Sequence, residues 1–168
     1  MRLQEQYYVV QLCSPTRTSL LSGRYPYTIG MNAEVIVDGH PSCMPLSVST
    51  IADRLSADGW ATSAYGKWDA GMTSWGCTPT CRGFGHFYGF YNAFNDYFTH
   101  RVGSGLDFRD DLLPVTNESG FYFTEIVTTN AIEWLERVIA ENRSRSTFAY
   151  LAHESNRECC PSRGVKPA

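Results

Sequence analysis

Apolar runs of strand length alternate with helical patterns along this chain, and that alternation limits its fold more than any other feature. Tyr7 to Gln11 (YYVVQ) reads as a short buried strand ending at Cys13. Pro15 then suits the first turn of a helix, where its missing N–H costs nothing. Leu20 and Leu21 give that helix apolar contacts, and Gly23 is a C-terminal stop. Residues 25–44 read as loop, punctuated by Pro26, Gly30, Gly39 and Pro41. A second helix follows from Val48, Ile51, Ala52 and Leu55 at i, i+3, i+4 and i+7, with Ser47 as N-cap and Gly59 as its end. Trp60 to Tyr65 (WATSAY) fits a strand. Residues 71–100, aromatic and glycine-rich, read as one long structured loop over a sheet edge. The clearest helix spans about Glu125 to Glu141, with Val127, Ala131, Trp134, Leu135 and Val138 in one stripe. Thr147 to Ala152 (TFAYLA) reads as another buried strand. A β-α-loop-β-α-β order predicts an α/β layered fold with a mostly parallel sheet. Such sheets bind ligands at the carboxyl ends of their strands, and Cys13 and Lys67 both fall just past strand ends.

Composition removes several classes. With 168 residues, 43% hydrophobic and 18% charged, the chain suits one domain with a real core. A net charge of −3 gives no basic footprint for nucleic acid. No apolar run approaches the ~20 residues of a membrane span. The start, MRLQEQYYVV, lacks the apolar core of a signal peptide, so the expectation is a cytosolic chain or one whose true N-terminus lies upstream. Cysteines stand at 13, 43, 77, 81, 159 and 160. Cys77 and Cys81 have metal-like spacing, but no second pair follows, so zinc is not expected. Two N-x-S/T triplets, at Asn117 and Asn142, lean with the cysteines toward a secretory setting and glycosylation.

The chemistry concentrates in Cys13-Ser14-Pro15-Thr16-Arg17, followed by Leu20-Leu21-Ser22-Gly23-Arg24. Taken alone, Cys13 could be a core or disulfide cysteine. A cysteine-dependent phosphatase is disfavoured, because its loop needs five residues between Cys and Arg and here there are three. The order resembles the type I sulfatase signature C-x-P-x-R plus a small-residue-Gly-Arg element. Gly66-Lys67-Trp68-Asp69-Ala70-Gly71 is similar to the sulfatase segment G-K-W-H-L-G. YYVVQLCSPTR, PSCMPL, TPTCRGF, NDYFTH, LDFRD and TFAYLA continue the series in order. The resemblance covers about Tyr7 to Ala152 and is closest to the arylsulfatase B, I and J group.

That resemblance implies a partial alkaline-phosphatase-like α/β/α sandwich, with residues 1–152 a partial N-terminal catalytic domain and 153–168 a divergent, irregular tail. It implies oxidation of Cys13 to formylglycine by a formylglycine-generating enzyme. The hydrated aldehyde, at a helix N-terminus that favours anions, would attack the sulfur of a sulfate ester, and its second hydroxyl would then expel sulfate. Arg17 would hold the diol, Lys67 would bind sulfate, and Ca2+ would polarise the diol, with Cys13 as one ligand. It implies a Cys43–Cys77 disulfide worth ~3 kcal/mol, an unpaired Cys81, and sulfated small molecules or glycosaminoglycans as substrates. It also implies a secretory, lysosomal or extracellular location.

The chain departs from the pattern in four places. Asp69 replaces the family histidine, and a carboxylate beside sulfate repels it. The family's Asp-Asp pair upstream of the cysteine and its downstream Asp-Asn-Gly element are absent, and Asp110-Asp111 reads as a solvated turn. The second family histidine falls at Arg157, with His153 nearby as a candidate. The final ESNRECCPSRGVKPA matches no family segment. These departures lead to an expectation of an internal piece of a longer sulfatase. The alternatives are a non-catalytic relative that binds sulfated glycans and an inactive truncated chain. Aromatics from Phe84 to Phe98 line a substrate mouth or, for most of them, pack the core.

Overall fold

A computed structural model describes residues 8–32, 35–37 and 39–154. Its centre is β1 (Ala61–Lys67), a seven-residue strand buried along its whole length. β2 (His86–Phe90) and β7 (Thr147–Ala152) pair with it on either side, both parallel. β5 (Arg109–Asp110) and β6 (Leu113–Pro114) add an antiparallel edge, giving the order β6-β5-β2-β1-β7. A separate ribbon joins β3 (Arg101–Val102) to β4 (Gly105–Leu106). The expected α/β class and mostly parallel sheet are therefore found.

Side chains alternate across β1, so each face of the sheet has its own core. Ala64 faces a cluster with Leu21, Met44, Val48, Ala52, Trp68, Phe84 and Phe87, capped by α1 (Cys13–Ser22) and α2 (Ile51–Ala57). Ala61 and Tyr65 face Phe90, Phe108, Phe123, Val127, Trp134 and Val138 beneath α3 (Phe123–Glu141). Parallel strands need cover on both faces, and these helices supply it.

Four expectations are corrected. Tyr8, Val9 and Val10 form no strand and are exposed, and Tyr7 lies outside the described residues. No described strand runs beside them, and the Val10 carbonyl accepts from Thr16 Oγ1 instead. The second helix starts at Ile51, not near Ser47. Arg82 Nη2 takes the Val48 carbonyl at 2.5 Å, and Thr50 and Asp53 close a reciprocal capping box of 2.9 and 2.7 Å. The stretch expected to be one long loop contains β2, a central strand paired along its whole length with β1 and at Tyr88 and Gly89 with β5. TFAYLA does form a strand, but as the outer one it is only half-buried, and Leu151 is 44% exposed.

The backbone is tightest where β1, β2 and β7 come together. Gly66 is in register with both Gly89 and Ala152. It has φ +86°, and a Cβ there would stand 2.2 Å from the Ala152 carbonyl oxygen. A Cβ on Gly89 would stand 2.0 Å from the Gly66 carbonyl oxygen. Only glycine fits both demands at position 66.

Cys43 and Cys77 are joined by a disulfide across 34 residues, with Cα atoms 5.9 Å apart. It ties the loop before α2 to the segment after β1. Cys81 is free and exposed. We expect Gly66→Ala to lower unfolding free energy by about 3 kcal/mol or more in chemical denaturation, through strain and collision together. Replacing Cys77 by Ser should cost about 3–4 kcal/mol in the same assay, the loop-closure value for a bridge of this span.

Candidate active site

α1 begins at Cys13 directly after an extended Leu12, and no side chain caps it. Gly23, in the left-handed region at φ 67°, ends it as expected. Cys13 is a free, half-buried thiol in its first turn. Ser14, next to it, is fully buried. Its hydroxyl accepts from Ile36 N at 2.8 Å and donates to Asp69 Oδ1 at 2.6 Å. The start of α1 is thereby tied to the residues just after β1.

Arg17, one turn along, reaches the same place. Its Nη1 donates to the Lys67 carbonyl at 2.6 Å and to the Tyr150 hydroxyl at 3.2 Å. Burial pushes the Tyr150 phenol above its ordinary pKa, and Arg17 opposes that shift. Tyr150 stays neutral and acts as a fixed acceptor for the guanidinium. Helix α1, strand β1 and strand β7 thus meet through Arg17.

Lys67 is the last residue of β1 and is 5% exposed. Its Nζ lies 3.1 Å from Asp69 Oδ2 and 5.6 Å from the centre of the Phe94 ring. Asp69 is 1% exposed and, although not glycine, holds φ +52°. Its amide donates to the Tyr91 carbonyl at 3.0 Å. Trp68 between them is anchored by Nε1 bonds to the Gly71 and Cys77 carbonyls at 3.1 and 3.0 Å. The intervening Trp68 therefore fixes the turn that faces Lys67 and Asp69 toward one another.

His153 follows β7 and is half-buried, and its backbone nitrogen lies 3.6 Å from where a Gly66 Cβ would be. It therefore sits at the same end of the sheet as Lys67. Its Nδ1 is buried and makes no hydrogen bond. Arg157 and the tail lie outside the described residues. Asn117 and Asn142 are both exposed. Most of the aromatics in 84–98 are core: Phe84, Phe87 and Phe90 are at most 1% exposed, while Phe94 and Phe98 are 41% and 51% exposed.

The described residues do not fit a calcium ion at Cys13. Calcium takes six to eight oxygen ligands, and the nearby Asp69 carboxylate is already held by Ser14 and Lys67. Among the described residues, metal-ligating side chains gather only at His86, Asp110 and Asp111. That group lies at the opposite end of β2. Its short contact, 3.2 Å between His86 Nδ1 and Asp111 Oδ1, with Asp111 also accepting from Phe87 N, pins the hairpin of β5 and β6 to the sheet. The expected turn is found at Asp111 only: Asp110 closes strand β5, both side chains are about half exposed, and both stand near His86.

Ser14 and Tyr150 were not singled out from the sequence, and Phe94 stood there only within the aromatic run from Phe84 to Phe98. Ser14 occupies a variable place in the motif, and nothing in the sequence marks it. Phe94 is one aromatic among many. Tyr150 could have been found, since strand alternation puts it on the same face as Phe148, and both pack against the core on the α1 side.

The family model for Sulfatase matches residues 2–161. This chain belongs to the sulfatase family. Arylsulfatase J of Mus musculus is 30% identical over 158 residues, covering 90% of this sulfatase chain and 26% of the relative. Arylsulfatase A of Homo sapiens is 38% identical over 90 residues, covering 53% and 18%. The Klebsiella aerogenes arylsulfatase is 26% identical, covering 88% and 33%. The sulfatase chain therefore spans a third or less of these relatives. Among solved structures, Ps i-CgsB superposes with a TM-score of 0.76 at 22% identity, covering 88% of this chain and 35% of that one. A Bacteroides thetaiotaomicron structure labelled BT33494S-sulf gives 0.68 at 18%, covering 92% and 34%. These likenesses establish the fold. No described helix is long and apolar enough to cross a membrane.

A buried ion pair is costly to break from one side only. Lys67→Met leaves Asp69 buried without its cation, and we expect a loss of about 3–5 kcal/mol in urea unfolding. Adding Asp69→Asn should recover most of that loss.

Proposed function

We propose that this chain carries the nucleophile-bearing part of a sulfuric ester hydrolase of the arylsulfatase B type. The supporting observation is the convergence of three sequence-distant elements. α1, which begins at Cys13, is tied to β1 and β7 by Arg17, and its Ser14 bonds the Asp69 carboxylate that pairs with Lys67 at the carboxyl end of β1. Formylglycine made from Cys13 by a formylglycine-generating enzyme would supply a hydrated aldehyde: one hydroxyl oxygen would bond to sulfur as the ester's alcohol leaves, and deprotonation of the second hydroxyl would then expel sulfate and restore the aldehyde. Arg17 holds that group in place, with Tyr150 and the Lys67 carbonyl fixing its guanidinium from behind. Lys67, once released from its ion pair with Asp69, binds the sulfate and offsets the charge that develops on it. His153, unpartnered at Nδ1 on the same end of the sheet, is a candidate proton donor to the leaving group.

Calcium enters no step, because the described residues do not cage it. The substrate class is a sulfated small molecule or glycosaminoglycan. The Cys43–Cys77 disulfide and the exposed Asn117 and Asn142 support folding in the secretory pathway with glycosylation there. Residues 1–152 form the partial catalytic domain and the remainder a tail. The second reading is a non-catalytic sulfatase relative that binds sulfated glycans. It rests on one observation, that Lys67 is already paired with Asp69.

Expression in a secretory host that contains the formylglycine-generating enzyme tests both. The tryptic peptide from Leu3 to Arg17 should show the aldehyde mass at Cys13. A fully unconverted thiol overturns the nucleophile assignment. Conversion without turnover of an aryl sulfate favours the non-catalytic reading.

A further inference from the structure

The Asp69 carboxylate is bound the way a foreign oxyanion would be. One oxygen accepts from the Ser14 hydroxyl at 2.6 Å, and the other lies 3.1 Å from Lys67 Nζ with no hydrogen bond beyond that ion pair. The hydroxyl must donate in this bond, because a carboxylate oxygen can only accept, and Ser14 Oγ accepts from Ile36 N in turn. Both side chains are cut off from water, at 5% exposure for Lys67 and none for Asp69. The backbone at Asp69 sits in the left-handed region at φ +52°, which non-glycine residues occupy at a cost. A hydroxyl donor and an ammonium aimed at two oxygens of one anion, beside an uncapped helix start, make up an oxyanion pocket.

We propose that Asp69 is the built-in occupant of this pocket, and that its carboxylate excludes sulfate and similar tetrahedral oxyanions until its charge is removed. This inference rests on reading the Lys67 end of β1 as the sulfate-binding place. Two effects make the exclusion strong. The carboxylate takes the ammonium that an incoming anion needs. Its own charge, desolvated and a few ångströms away, also repels that anion far more than it would in water. Asp69 thus determines whether the site accepts an anion, independently of whether Cys13 has been converted.

Neutral replacements that suit a positive φ test the idea. Asp69→Asn keeps an acceptor for Ser14, and Asp69→Gly removes the side chain altogether. The full chain, its fold checked by near-ultraviolet circular dichroism, is titrated with inorganic sulfate by calorimetry. Quenching of tryptophan emission gives a second readout, because Trp68 adjoins the pocket. The original chain should bind sulfate at least about tenfold more weakly than either variant. Lys67→Met added to Asp69→Asn should abolish the gain. If the original chain binds sulfate as tightly as the variants, Asp69 is not an occupant, though the oxyanion pocket stands. If folded variants and the original chain all fail to bind, the oxyanion reading of Lys67 falls and the inference with it. If neither variant folds, Asp69 is a structural counter-ion and the proposal is wrong.

Discussion

The pairing of β1 with parallel neighbours on both sides is the constraint from which the rest follows. A seven-residue strand buried along its whole length cannot leave backbone groups unpaired. β2 and β7 satisfy them, and the helices α1, α2 and α3 cover the two faces. The glycines at 66 and 89 let the three backbones close up near the carboxyl end. As a result Lys67, the turn through Asp69 and the end of β7 are delivered to one place. Arg17 then joins α1 to that place by bonding to a β1 carbonyl and a β7 hydroxyl. The site is thus a product of sheet closure, with its donors on α1 and β1 and the Asp69 carboxylate on the turn after β1.

Much of this was legible in the residues. The strand-like run from Trp60 to Tyr65 and the apolar stripe from Val127 to Val138 located β1 and α3. Pro15 and Gly23 bracketed α1 for conformational reasons that hold in any context. Other elements were hidden by tertiary effects. β2 carries no polar alternation, since both its faces are buried and aromatic. Residues 8–10 have strand composition and no strand, because pairing is a property of two segments and composition of one. The start of α2 moved to Ile51 because Arg82, 34 residues away from Val48, claims a carbonyl that a helix would use.

The site was legible in its spacing and illegible in its bonding. The order of Cys13, Arg17 and Lys67 singled out α1 and the end of β1, which the fold ties together. Nothing in that order could show that Ser14 donates to Asp69, or that Arg17 is braced by Tyr150. Asp69 stood out against the family pattern as a charge of the wrong sign. Its structural meaning required the distances, which show a carboxylate held from two sides by groups suited to an anion.

The backbone angle at Asp69 has an evolutionary consequence. A φ of +52° is tolerated by few side chains, chiefly asparagine, aspartate, histidine and glycine. In the genetic code, asparagine, histidine and glycine codons each lie a single nucleotide from an aspartate codon. The turn therefore filters mutation at this position toward neutral or weakly basic residues reachable in one step. A lineage carrying this chain can gain or lose the carboxylate by one point mutation without refolding the turn that presents it.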